Sequence, residues 1–232
     1  METDLLRERL NRIQSALETA SEGRYTPPRI LAVTKTHPAE MILPLADLGV
    51  LEIGENRVQE IREKAPLLEG KFAVHLIGRL QTNKVKYIMK DVVMIQSLDR
   101  MELAHEINRQ ALKHGIVMPV LVQVSPAGEE QKGGIAPPLL RPFLKDIVHL
   151  PGLHVRGLMA VMPNLGPTPE LDALFRNMRS LFEQIREEAI PGIDMDELSM
   201  GMSGDYLYAA RHGATMVRIG SALFGPRDYG PK

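Results

Sequence analysis

Cysteine is absent from the 232 residues, net charge is close to nil, and no apolar run approaches membrane length. Without cysteine there are no disulfides, no thiolate metal ligands and no cysteine nucleophile, a composition compatible with the reducing cytoplasm where the protein is expected to work. Lysine and arginine total 28 against 29 acidic residues, leaving −1. That balance gives no electrostatic reason to expect nucleic acid or an anionic membrane as partner, local basic patches aside. The opening METDLLRERLNRIQ is charged throughout and offers no apolar signal core, and no later stretch reaches the roughly 20 apolar residues of a membrane span. The 7 histidines show neither HExxH spacing nor a comparable cluster, so no metal site is expected. GMSGD lacks the second glycine of a nucleophile elbow, and neither a Walker nor a GxGxxG sequence occurs, which ranks serine hydrolysis and nucleotide binding low.

What remains is a soluble chain of a size that an α/β barrel occupies as one unit, residues 1–232. Leu6, Leu10, Ile13 and Leu17 recur at helical spacing among charges, predicting an N-terminal helix within residues 1–24 that lays its apolar stripe on a larger body. Short apolar runs then alternate with longer amphipathic ones. ILAVTK, LEIGE, FAVHLIG, VVMIQS, MPVLVQVS, LHVRGLMAV, ELSMG and TMVRIG read as strands, and residues 55–68, 99–114, 138–149 and 169–188 read as helices. Continuously apolar strands are what burial on both faces demands. About eight such units predict a single-domain (β/α)8 TIM barrel with an extra N-terminal helix, although an open doubly wound sheet shares the local pattern.

The chemistry concentrates near the two ends of the chain. Lys35 closes the first apolar run, LAVTK, and a glycine-rich strand, turn, helix, strand and turn follows from Leu198 to Gly225. In a barrel the carboxyl ends of the strands share one mouth, so Lys35, Asn56, His75 and Arg218, each placed at or just after a predicted strand end, are candidates for one site. Burial beside apolar strand residues and a nearby cation would lower the Lys35 pKa and free an amine able to form a Schiff base. A lysine snorkelling to solvent from a strand end is the competing reading.

Ser203 and Gly204 precede a helix-like segment, and Gly220 and Ser221 follow the last strand. Together they offer a hydroxyl and free backbone N–H groups for an anion, at the place where such barrels often bind phosphate. Singly, Ser203 reads equally well as a helix cap and Gly220 as an ordinary turn. An amine facing a phosphate cradle is what pyridoxal 5'-phosphate (PLP) requires. Arg218 beside the pyridine nitrogen would hold that nitrogen unprotonated, because a guanidinium only donates, and the ring would be a weaker electron sink. His37, before Pro38, reads as structural.

At LAVTKTHP, IGENRVQE, HLIGRLQTNK, SPAGEEQKGGI, GLMAVMP and LSMGMSGDYLYAARHGATMVRIGSALFGPRDY the chain resembles the YggS/PROSC pyridoxal phosphate homeostasis proteins, in order over nearly its whole length. The resemblance implies a barrel like the N-terminal domain of alanine racemases, with PLP on Lys35, phosphate contacts at Ser203, Gly220 and Ser221, and Arg218 at the pyridine nitrogen. Asn56 and His75 fall in motifs near the cofactor, and Lys84 and Lys132 are motif lysines that would receive it secondarily. The implied role is cofactor homeostasis: holding PLP as a Schiff base and passing it on through transient contacts with apoenzymes, without robust catalysis.

The racemases carry a tyrosine four residues after the lysine, where this chain has Ala39, and a second base from a further domain that these 232 residues are too short to contain. A PLP-dependent amino-acid racemase and a Schiff-base aldolase without PLP are therefore the alternatives. The expected state is a monomer.

Overall fold

Eight parallel strands pair in sequence order and the last returns to the first: β1 (Arg29–Val33), β2 (Glu52–Glu55), β3 (Ala73–Leu76), β4 (Met94–Leu98), β5 (Met118–Val124), β6 (Leu153–Ala160), β7 (Ile193–Met202) and β8 (Met216–Ile219). The computed structural model describes residues 2–128 and 133–226. Closure rests on β1 and β8, where Leu31 lies opposite Arg218 and Ala32 opposite Ile219, and it decides between the barrel and the open sheet. Every residue of β4 and β8 is buried, as expected for strands enclosed between a packed lumen and a ring of helices.

The predicted helices form close to their expected bounds. They are α1 (Glu2–Ser21), α4 (Val58–Leu68), α5 (Met101–His114), α6 (Pro137–Ile147) and α7 (Pro169–Glu187), joined by the short α2 (Ala39–Ile42), α3 (Pro44–Asp47), α8 (Tyr206–Arg211) and α9 (Ser221–Phe224). Only a 3-10 helix, Thr82–Tyr87, crosses from β3 to β4. Leu6, Leu10, Ile13 and Leu17 of α1 are all buried, packed against α8 and α9, and Arg9 donates to the carbonyl of Leu223 at 3.2 Å. The extra helix thus braces the two elements that follow β7 and β8. At the end of β7, Gly201 has φ +91, and a β-carbon there would meet the Ala209 methyl at 2.5 Å. Glycine lets α8 fold tightly back onto the strand it follows. No helix among the described residues is long and apolar enough to cross a membrane.

Candidate functional site

Lys35 stands two residues beyond β1, partly buried, in a loop held from both sides. Behind it, Lys64 of α4 donates from Nζ to the Thr34 carbonyl at 2.9 Å, to Glu55 Oε1 at 2.8 Å and to Glu60 Oε2 at 3.1 Å. Glu55 Oε1 also accepts from the Thr34 hydroxyl at 2.6 Å, and Glu60 Oε2 accepts the Thr36 N–H at 2.7 Å. Thr36 has φ +69, a left-handed conformation that a β-branched residue rarely adopts and that costs about 1–3 kcal/mol. The Glu60 carboxylate offsets part of that cost and fixes the turn. Burial raises the Glu55 pKa against its bonds to Lys64 and Thr34. Burial also opposes ionisation of Glu60, but the Thr36 N–H and Lys64 outweigh it and hold that carboxyl below its usual range. On the far side of the loop, His37 stacks on Phe224 of α9 at 4.4 Å.

The phosphate candidates lie next to this loop because β8 is the neighbour of β1. A β-carbon built on Gly220 would stand 3.4 Å from Val33 Cβ, so the turn after β8 flanks the end of β1. Ser203 Oγ accepts the backbone N–H groups of Gly220 at 3.1 Å and Ala222 at 3.2 Å. The hydroxyl therefore crosses to the start of α9 and does not cap the helix that follows it, whose N-cap is Asp205. Ser221 is exposed at the first position of α9.

Arg218, 3% exposed, carries its charge into the lumen: NH1 donates to Ser199 Oγ at 2.8 Å and NH2 to the Ala160 carbonyl at 2.7 Å. Burial lowers its pKa to about 10, which leaves it charged at neutral pH. The Asp205 carboxylate acts on it through space and offsets part of that burial, while its hydrogen bonds to Ser199 and Ala160 go to neutral acceptors, so the guanidinium fits a neutral acceptor atom in the mouth. Arg218 can only donate, and this imposes one direction on the chain beyond it. Ser199 Oγ donates to Gln96 Oε1 at 2.8 Å, and Gln96 Nε2 donates to His75 Nδ1 at 3.0 Å.

His75 is therefore in the lumen below Arg218 and not at the mouth expected for it. Its Nε2 lies 3.6 Å from Glu52 Oε1, beside the first residues of β1 and β2. The sequence reading missed Ser199 and Gln96, whose only sequence signal is a polar side chain within a strand that is otherwise apolar.

Burial depresses the His75 pKa to about 4, and the donor at Nδ1 opposes protonation there. Because the folded value lies below the unfolded one, about 6.5, the unfolded chain binds the extra proton first. Stability is complete above pH ~6.5 and falls by about 3 kcal/mol as pH drops towards the folded value. Thermal melts across this range should show that slope, and His75→Gln should flatten it.

Asn56 follows β2 directly, with a buried Oδ1 that has no hydrogen-bond partner among the described residues. Lys84 is exposed on the 3-10 helix with its ammonium 5.8 Å from the Tyr87 ring centre. Lys132 lies outside the described residues. No group of three or more metal-binding side chains occurs among the described residues.

This arrangement matches known proteins over nearly its whole length. A profile of the alanine racemase N-terminal domain family matches residues 3–228. Pyridoxal phosphate homeostasis proteins from Aquifex aeolicus and Haemophilus influenzae are 43% and 39% identical to it, each over 95% of this chain and over 96% and 95% of their own lengths. PipY of Synechococcus elongatus, solved with PLP bound, is 33% identical, covers 95% of this chain and 100% of its own, and superposes with a TM-score of 0.82. The chain belongs to the alanine racemase N-terminal domain family and, within it, to the pyridoxal phosphate homeostasis proteins.

Proposed function

We propose that this protein binds pyridoxal 5'-phosphate on Lys35 and serves in cofactor homeostasis, holding and releasing PLP without acting as a catalyst of its own. The observation that supports this reading is the pairing of β1 with β8, which sets the loop of Lys35 beside the turn where Ser203 bonds Gly220 and Ala222, with Arg218 buried on the same strand and hydrogen-bonded to neutral groups. PLP supplies an aldehyde that an amine captures reversibly, and a ring that withdraws electrons best when its nitrogen is protonated. The residues here suit the first property and oppose the second. Ser203 and the two backbone N–H groups would take the phosphate, and Asn56 Oδ1 offers an unused acceptor beside the site. Arg218 would face the ring nitrogen as a donor, so no acid stands ready to protonate it. The relatives carry names that describe homeostasis and not a reaction, which agrees.

On this reading residues 1–232 are one cofactor-binding unit, with α1 as its brace, acting as a cytoplasmic monomer that meets apoenzymes transiently. Ser221 would contribute through its place at the start of α9, Lys84 as a secondary acceptor, and His75 indirectly through Gln96 and Ser199.

Purified protein incubated with PLP should turn yellow, and borohydride should fix the cofactor on Lys35, located by mass spectrometry of the digest. An adduct on another lysine with Lys35 unmodified would refute the assignment. Ser203→Ala should speed cofactor loss by about ten-fold, the worth of one hydrogen bond to a charged group, while leaving the band position unchanged. Exchange of the α-proton of amino acids in heavy water, no faster than with free PLP, separates this reading from a racemase.

A further inference from the structure

Beside the mouth lies an open cleft of about 1040 Å³ between the start of α4, the β3 loop, the 3-10 helix and the start of α5. Its walls carry Arg57, Arg62, Arg79, Lys84 and Arg100 against a single carboxylate, Glu63, in a chain whose net charge is −1. The concentration of cations is local and is built by the fold. A β-carbon on Gly78 would stand 2.3 Å from the Asn56 carbonyl oxygen, so only glycine allows the β3 loop with Arg79 to close against the β2 loop with Asn56 and Arg57. Arg100 is locked to Asp99 at 2.5 Å and to the Leu80 carbonyl at 2.7 Å. Arg62, Lys84 and Lys86 gather around the Tyr87 ring at 5.3, 5.8 and 4.9 Å. Arg57 and Arg79 are exposed, and neither guanidinium makes a side-chain hydrogen bond or salt bridge among the described residues. Asp99 neutralises Arg100 and Glu60 acts on Arg57 through space, but the cations on these walls still outnumber the acids beside them, an arrangement that a bound polyanion relieves.

We propose that this cleft docks an acidic, carboxylate-rich segment of an acceptor protein at the moment the cofactor is passed on. The inference rests on the reading of the protein as a PLP carrier, and it places the acceptor beside the mouth because Asn56 lines the cleft and follows β2 directly. The volume and the spread of charge over four elements suit several carboxylates along an extended chain and exceed what one small anion would use. Nucleic acid fits less well: Tyr87 is the one aromatic ring lining the cleft, with Arg62 and Lys86 already 5.3 and 4.9 Å from its centre, so a run of bases would find no series of rings to stack on.

The test uses the full chain loaded with PLP, a fluorescein-labelled oligo-glutamate peptide and fluorescence anisotropy. The peptide should bind at low salt and weaken as salt shortens the screening length. Arg57→Glu with Arg79→Glu should reduce affinity by at least about ten-fold. Lys145→Glu, exposed on α6 and outside the cleft lining, should leave it unchanged, and the Lys35 cofactor band should be the same in all three proteins. Four results overturn the proposal: no binding at low salt, an equal loss in Lys145→Glu, full displacement by equimolar pyrophosphate (a small-anion site), or equal affinity for an oligonucleotide of matched charge. A missing adduct on Lys35 would instead defeat the carrier reading, so the two failures are distinguishable.

Discussion

Lys35→Ala is expected to remove the borohydride-reducible adduct and the yellow colour altogether while leaving the barrel folded. The side chain lies beyond the last paired residue of β1, outside the apolar core, and the loop around it is held by Lys64, Glu60 and the stack of His37 on Phe224. What disappears is the amine; the cradle at Ser203, Gly220 and Ala222 and the Arg218 guanidinium remain. Residual PLP should be retained only through those groups and should wash out on gel filtration. Circular dichroism and the thermal midpoint should match the parent within a few degrees. Persistence of a stoichiometric reduced adduct in the variant would mean that another lysine is the acceptor, and the argument from the ends of β1 and β8 would fail.

Lys64→Ala should have the largest effect on stability. Glu55 is 1% exposed, its Oε1 is bonded to Lys64 and Thr34, and its Oε2 has no partner among the described residues. Removing the ammonium leaves an uncompensated buried carboxylate, at a cost of about 3–5 kcal/mol. For a chain of this size that corresponds to a fall of roughly 10 °C in thermal midpoint. The carboxyl can escape by taking a proton, since burial already raises its pKa. With the folded pKa above the unfolded one, the folded state binds more protons, so the defect should be smaller near pH 5 and larger near pH 8. Glu55→Gln combined with Lys64→Met should recover much of the loss, because the fully buried charge is then gone and Glu60, which loses the same cation, keeps the Thr36 N–H and some solvent. A second readout separates positioning from stability. The same change leaves the Thr34 carbonyl with the His37 N–H as its remaining donor, at 3.1 Å, and takes from Glu60 the cation that helps it hold the Thr36 N–H, so PLP should attach to Lys35 more slowly even at temperatures where the variant is fully folded. A midpoint within 2 °C of the parent at pH 8 would contradict the buried ion pair.

Much of this was legible along the chain. The strands announce themselves by runs apolar on both faces, and α1 by Leu6, Leu10, Ile13 and Leu17 on one stripe; both patterns are local consequences of burial. Lys35 and the glycine-rich segment around Ser203 and Gly220 could be singled out because a lone amine at a strand end and small residues at a turn are visible without neighbours. The role of Ser203 was not, since a serine before a helix reads as a cap, and only the pairing of β7 with β8 carries its hydroxyl to Gly220 and Ala222. His75 misled for the same reason. It stands one residue before the end of β3, Leu76, as a strand-end reading has it, but its ring nitrogens lie against Gln96 and Glu52 within the lumen.

The order of residues determined the alternation of strand and helix, the apolar faces and the chemical kinds of group present, because these depend on periodicity and composition over a few turns of chain. Tertiary structure decided which groups meet. The turn at Gly220 reaches the end of β1 at Val33 only because β8 hydrogen-bonds to β1, while Lys64 with Glu55, Arg218 with Ser199, and Arg57 and Arg79 in one cleft depend on each crossover returning beside its own strand. Such contacts leave little trace in spacing, since the energy that selects them is burial and hydrogen bonding summed over the whole barrel.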